Sequence, residues 1–297
     1  MNKNHKPTNT SFCIILFFAV LFLQSCKKST DTGTTLNPNA KTTLLAVGYG
    51  TDSLQQMDIF LPAGRSLNTT KIMVLVHGGS WTSGDKSDVR FLVDSFTSHL
   101  SNYAFININY RLATFGGINL FPTQEADVKQ AFEYILSHNT NYQYDTSKLV
   151  LLGESAGGLL ALLQAYKYPS LTHAAIDLAG VSDMVGLYKY YAANKSNIAL
   201  GLSFLMNGTP TSNPTLYNSS SPVNYVGASS PPTIILHGTA DTIVPITQSN
   251  TLDAKLSQSN VQHEFYTYPG IGHTLSSPAT FEDAFPKVLA FLQKVNP

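Results

Sequence analysis

Cysteine is nearly absent from this chain, two in 297 residues. A fold stapled by several disulfides is thereby excluded. Charge is scarce as well. Only 12% of the residues are Asp, Glu, Lys or Arg, and 18 basic side chains balance 18 acidic ones. Without a basic excess there is no electrostatic footprint for nucleic acid. Neither a Walker loop nor a dinucleotide fingerprint occurs. His263-Glu264-Phe265-Tyr266-Thr267 opens like a zinc motif but places Thr267 where the second histidine belongs, so no metal site is read. There is no internal repeat. What is plentiful is apolar: 43% of residues are hydrophobic, enough for a sizeable core and far from a disordered composition. At about 150 residues per domain the length would suggest two domains, but α/β folds of this size are often one.

Lys3 and Lys6 precede an apolar run from Phe12 to Leu23, too short to cross a bilayer as a helix but suited to the core of a signal peptide. The run ends in Leu23-Gln24-Ser25-Cys26, which resembles a bacterial lipobox with an unusual Gln24. The resemblance implies cleavage after residue 25, lipid on Cys26 and a lipid-anchored exported protein of the bacterial cell envelope. Cys13 leaves with the signal, so no thiol remains for catalysis. Residues 26–40 are rich in Ser, Thr, Asp, Gly, Asn and Pro, and read as a flexible tether to a domain over 41–297.

Inside that domain strand and helix patterns alternate. Strands are expected at 44–49, 54–61, 72–76, 103–109, 149–152, 174–178, 233–236 and 262–268. Ile72-Met73-Val74-Leu75-Val76 is apolar throughout, as a strand buried on both faces would be. Helices are expected after Pro122, over Ala156 to Tyr168, Ile246 to Leu256 and Phe281 to Leu292. Val128, Ala131, Phe132, Ile135 and Leu136 form one helical apolar face. The alternation predicts a mostly parallel eight-stranded sheet with helices on both faces. Residues 183–232 break the rhythm; about fifty residues are too many for an ordinary loop and read as a lid-like insertion.

Gly153-Glu154-Ser155-Ala156-Gly157 fits G-x-S-x-G, directly after an expected strand and directly before an expected helix, the setting of a nucleophile elbow. On so tight a turn a side chain at 153 or 157 would collide with its neighbours, and the helix start behind Ser155 favours negative charge. A serine hydroxyl needs a base. His273, in a glycine-rich loop after the last strand, is the candidate. Asp241, after the seventh strand, is the candidate acid that orients it; Asp183 is the rival. The order Ser155, Asp241, His273 is that of an α/β-hydrolase. His77-Gly78-Gly79-Ser80-Trp81 follows the third strand, in the place of an oxyanion loop. The backbone N–H groups of Gly79, Ser80 and Ala156 are the candidate donors, and Trp81 is a candidate substrate contact. His77 and His237 end strands and are expected to hold loops in place.

With these segments, Asn109-Tyr110-Arg111-Leu112 and Ser221-Pro222-Val223, the chain resembles esterases of the α/β-hydrolase superfamily that carry an HGG oxyanion loop. The nearest groups are the hormone-sensitive-lipase-like and the bifunctional feruloyl/acetyl-xylan-esterase-like ones; kynurenine formamidases share the HGG-x-W stretch. The resemblance implies hydrolysis of carboxylic esters with no metal or organic cofactor and leaves the acyl group and the alcohol open. A lipid anchor at the envelope points to acetyl or feruloyl esters on glycans as the expected substrates. An amidase, formamidase or serine peptidase would use the same triad. A non-catalytic binding protein on a hydrolase scaffold would show a damaged triad, and this sequence keeps all three members.

Overall fold

The structure is a computed structural model that describes residues 36–275 and 278–296. The expected signal peptide, Cys26 and the first part of the expected tether lie outside the described residues. The eight strands are β1 (Thr42–Gly48), β2 (Gln56–Leu61), β3 (Lys71–Val76), β4 (Tyr103–Ile108), β5 (Leu149–Glu154), β6 (Ala174–Leu178), β7 (Thr233–Gly238) and β8 (His263–Tyr268). They form one sheet in the order β1-β2-β4-β3-β5-β6-β7-β8. β2 runs antiparallel to both its neighbours, β1 and β4, and every neighbouring pair from β4 to β8 is parallel. This is the mixed, mostly parallel sheet of the α/β-hydrolase fold.

The helices that flank it are α1 (Arg90–Thr97), α2 (Thr123–Ser137), the single turn α3 (Asn139–Tyr142), α4 (Ala156–Lys167), α5 (Met184–Asn194), α6 (Ser196–Leu205), α7 (Pro214–Ser219), α8 (Thr247–Gln258) and α9 (Pro278–Val295). The continuous apolar run in β3 has the predicted cause. Ile72, Val74 and Val76 join a core with residues of α2, α4 and α8, while Met73 and Leu75 join a second core with residues of α1 and α9. α4 is buried nearly all round, which is why its sequence lacks a polar face.

Three findings differ from the sequence expectations. α1 was not foreseen; its buried set is only Leu92, Val93 and Phe96, and the Asp85–Asp88 capping box precedes it across a 3₁₀ turn. Residues 183–232 are largely helical and contain α5, α6 and α7. Residues 36–40, expected as the end of a tether, are docked on the domain. Leu36 packs on the core, and the buried Arg65 donates to Ala40 O at 2.6 Å.

The chain crosses from β3 to β4 on one side and, after α2, returns to β5 on the other. Ligands of open α/β sheets bind at the carboxyl ends beside such a switch point. The register pairs Val76 with Gly153, so the loops leaving β3 and β5 emerge side by side.

Candidate active site

β5 ends at Glu154 and α4 starts at Ala156, leaving Ser155 alone on the turn with φ 55° and ψ −121°. This is a costly conformation for a residue with a side chain, on the order of 1–3 kcal/mol. A Ser155 N–H bond to Leu178 O at 2.9 Å holds it. The tight turn explains both motif glycines. A Cβ on Gly153 would lie 2.3 Å from Gly157 O, and one on Gly157 2.2 Å from Val76 O.

His273 and Asp241 reach this turn from the loops after β8 and β7. His273 Nε2 lies 2.9 Å from Ser155 Oγ, and His273 Nδ1 lies 2.6 Å from Asp241 Oδ2. With Nδ1–H donating to the carboxylate, Nε2 is left to accept the serine proton. Asp241 Oδ1 accepts from the N–H groups of Ile243 and Val244 at 2.8 and 2.9 Å, which fixes the carboxylate. The rival Asp183 is instead the residue before α5; its backbone is clamped by the Gln248 amide.

The loop after β3 carries three consecutive residues at positive φ, Gly79 at 106°, Ser80 at 52° and Trp81 at 62°. Gly79 O accepts from the N–H groups of Thr82 and Ser83. The Tyr110 hydroxyl donates to His77 O and Gly78 O, and its ring stacks on His77 with centroids 4.4 Å apart. His77, fully buried, thus anchors the loop as expected. Trp81 donates its indole N–H to Ala156 O at 3.1 Å, tying this loop to the start of α4. Among the described residues the N–H groups of Gly79, Ser80 and Ala156 donate to no protein acceptor.

Ser155 opens on a cavity of about 290 Å³, and Ser80, Trp81 and Ala156 lie on its wall. Gly79 is not on the wall. The insertion supplies a largely apolar part of the lining, including Leu187 and Tyr191 on α5 and Ile198, Leu202 and Leu205 on α6. Leu187, Ile198 and Leu202 were not singled out from the sequence. The signal was there in the 198, 202, 205 spacing, one face of a helix.

Residues 57–256, more than half of the chain, match the BD-FAE family. The chain belongs to that family. Among curated relatives, "Probable carboxylic ester hydrolase LipM" of Mycobacterium tuberculosis (strain ATCC 25618 / H37Rv) is 29% identical over 212 residues, 67% of this chain and 47% of the relative. The chain spans about half the length of the curated relatives it matches, 47%, 58% and 51% for three mycobacterial ones. Among solved structures, the bifunctional GH43-CE protein of Bacteroides eggerthii aligns with a TM-score of 0.72 at 27% identity, over 85% of this chain and 35% of that one. A truncated carbohydrate esterase from gut microbiota aligns at 0.66 and 21%, over 87% and 99%.

This BD-FAE chain surrounds its acid with two imidazoles. His237 Nε2 lies 3.1 Å from Asp241 Oδ2 and 2.8 Å from Val244 O, so it carries a proton; its Nδ1 lies 2.6 Å from Ser249 Oγ. His237 therefore does more than hold a loop, because it shares the oxygen that orients His273. Burial alone would raise the Asp241 carboxyl, but hydrogen bonds from His237 and His273 and the charge on His273 pull it well below the usual carboxylate range. Asp241 is thus ionised throughout the neutral range.

Asp177 on β6 is the opposite case. Burial pushes its carboxyl up to about 7, against a weaker pull from His237 and the Gly180 backbone. Neither oxygen has a well-formed hydrogen bond. An unfolded carboxyl titrates near 4, so from about pH 4 to about pH 7 only the folded chain keeps this proton. Stability is expected to fall across that window by about 1.4 kcal/mol per pH unit at most. Asp177→Asn removes the titration. Its melting temperature, relative to wild type, should rise from pH 5 to pH 8 and then level off. A difference independent of pH would refute the buried proton.

Proposed function

We propose that this BD-FAE chain is a serine carboxylesterase. The observation that carries the reading is the unbroken line from Ser155 Oγ through His273 to Asp241, at 2.9 and 2.6 Å, opening on an apolar cavity at the start of α4. Ser155 attacks the ester carbonyl carbon as its proton passes to His273 Nε2. Asp241 stabilises the imidazolium. The uncommitted N–H groups of Gly79, Ser80 and Ala156 receive the negative charge on the carbonyl oxygen. The C–O bond breaks and the alcohol departs with the proton from His273. Water, deprotonated by the same nitrogen, then attacks the acyl-enzyme and releases the acid.

The carbohydrate esterase among the solved structures supports esters on glycans as the biological substrates, and membership of the BD-FAE family supports acetyl or feruloyl as the acyl group. The lipobox-like Leu23 to Cys26 supports export, lipid on Cys26 and work at the cell envelope. Hydrolysis by the purified protein of p-nitrophenyl acetate, butyrate and octanoate, acetylated xylan and an N-formyl amide tests the reaction. Serine-dependent turnover of esters is expected, together with labelling of Ser155 by a fluorophosphonate. Turnover of the amide alone would replace the esterase reading by an amidase. Incorporation of labelled fatty acid that Cys26→Ser abolishes tests the anchor.

A further inference from the structure

We infer that Gly201 is a specificity-determining residue, which keeps a slot along α6 open for an apolar acyl group longer than acetyl. The inference deepens the esterase reading and rests on it. Gly201 lies in the interior of α6, where glycine is a poor choice; it costs about 1 kcal/mol against alanine. Three demands commonly hold a glycine in such a place, and none applies. Its φ is not positive. No backbone approaches it, since a Cβ built there meets nothing within 4 Å. Nor does it end the helix, which continues to Leu205.

What a side chain at 201 would occupy is the cavity. Gly201 lies on its wall between Ile198, Leu202 and Leu205, all on one face of α6. Ser155, Ser80 and Ala156 line the same cavity. A cavity of about 290 Å³ is at the small end of ligand pockets yet far more than an acetyl group fills. Its lining is mainly apolar, with few groups for a glycan's many hydroxyls, so the acyl side of the ester is the part that fits best. At the mouth Phe115, 82% exposed, lies beside the partly exposed Phe204 with ring centroids 6.0 Å apart, leaving apolar surface for a long acyl chain to cover.

The test compares wild type, Gly201→Ala and Gly201→Leu. The ratio of kcat/KM for p-nitrophenyl octanoate to that for the acetate is expected to fall at least about tenfold in Gly201→Leu and less in Gly201→Ala. Gly201→Ala should also melt about 2 °C higher, because helix propensity improves and nothing clashes. A ratio that stays constant while both esters slow together would overturn the inference. So would a lower melting temperature in Gly201→Ala, which would give the glycine a structural role. Binding is read separately in the Ser155→Ala background. Trp81, the only tryptophan of the chain, lies on the cavity wall, so octanoate should change its fluorescence, and Gly201→Leu should weaken that binding. Octanoate binding without turnover of any ester would defeat the esterase reading and leave the slot standing. Turnover with no octanoate response and no shift in the ratio would defeat the slot and leave the esterase.

Discussion

Ser155→Ala should lower kcat/KM for a good ester by about 10⁵-fold or more, while leaving the melting temperature close to that of wild type. The size follows from how the three residues work as a unit. Without the hydroxyl, His273 has no nucleophile to deprotonate and Asp241 nothing to orient, so one loss approaches the loss of all three. A residual rate above that in water remains, because the N–H groups of Gly79, Ser80 and Ala156 still receive the developing charge. Asp241→Asn should cost somewhat less, about 10⁴-fold. An amide in its place cannot accept the His273 Nδ1 proton with its nitrogen, and it also loses charge attraction to His237. Ser155→Ala together with Asp241→Asn should be scarcely slower than Ser155→Ala alone. Additive losses would mean that the two residues act independently and would refute the shared line of hydrogen bonds. Circular dichroism and melting curves on each variant separate lost chemistry from lost fold.

The parts of the molecule that were legible in the sequence are those where one physical demand acts alone. β3 is buried on both faces, so nothing but apolar residues suits it. The turn at Ser155 admits no Cβ on either side, so glycine is forced at 153 and 157. The insertion was visible only as surplus length. α6 turns one side to the core, through Leu202 and Leu205, and its neighbouring residues Ile198 and Gly201 to the cavity, while Leu200 is exposed. With apolar residues around most of its circumference the amphipathic period is blurred. α1 is two turns long with three buried residues, too short a pattern to stand out. The end of the expected tether looked polar because residues 36–40 dock mainly through their carbonyls, which Arg65 and Gly64 capture at Pro38 and Ala40. Backbone groups leave no trace in composition. The second imidazole on Asp241 was hidden for a related reason. His237 looks like any strand-ending histidine until the turn through Val244 brings it onto the carboxylate.

Asp127→Ala is expected to be the most damaging substitution away from the chemistry, at about 3 kcal/mol. The carboxylate is fully buried on α2. It accepts from Arg111 at the backbone N–H (2.8 Å), Nε and Nη2 (2.6 Å), and from Gln55 Nε2 at 2.8 Å. Removing it strands a guanidinium, leaves the Arg111 backbone N–H without its acceptor and leaves Gln55 Nε2 with only Gln130 Oε1. Breaking a buried pair by taking away one member typically costs about 3–5 kcal/mol, and the Arg111 side chain, 29% exposed, recovers part of that from water. For a domain of this size the melting temperature should drop by about 6–12 °C. Arg111 also begins the segment that carries Ala113, Thr114 and Phe115 to the cavity, and Gln124 Nε2 grips Arg111 O at 2.9 Å. The variant should therefore raise KM more than it lowers kcat, the opposite of Ser155→Ala. Replacing both partners, as Arg111→Met with Asp127→Leu, should recover much of the lost stability, because an apolar pair leaves no charge behind. It should not recover KM, since the backbone bond from Arg111 to the carboxylate remains lost. A double variant no more stable than Asp127→Ala would show that the carboxylate's bonds to the backbone and to Gln55, rather than the ion pair, hold this corner of the site.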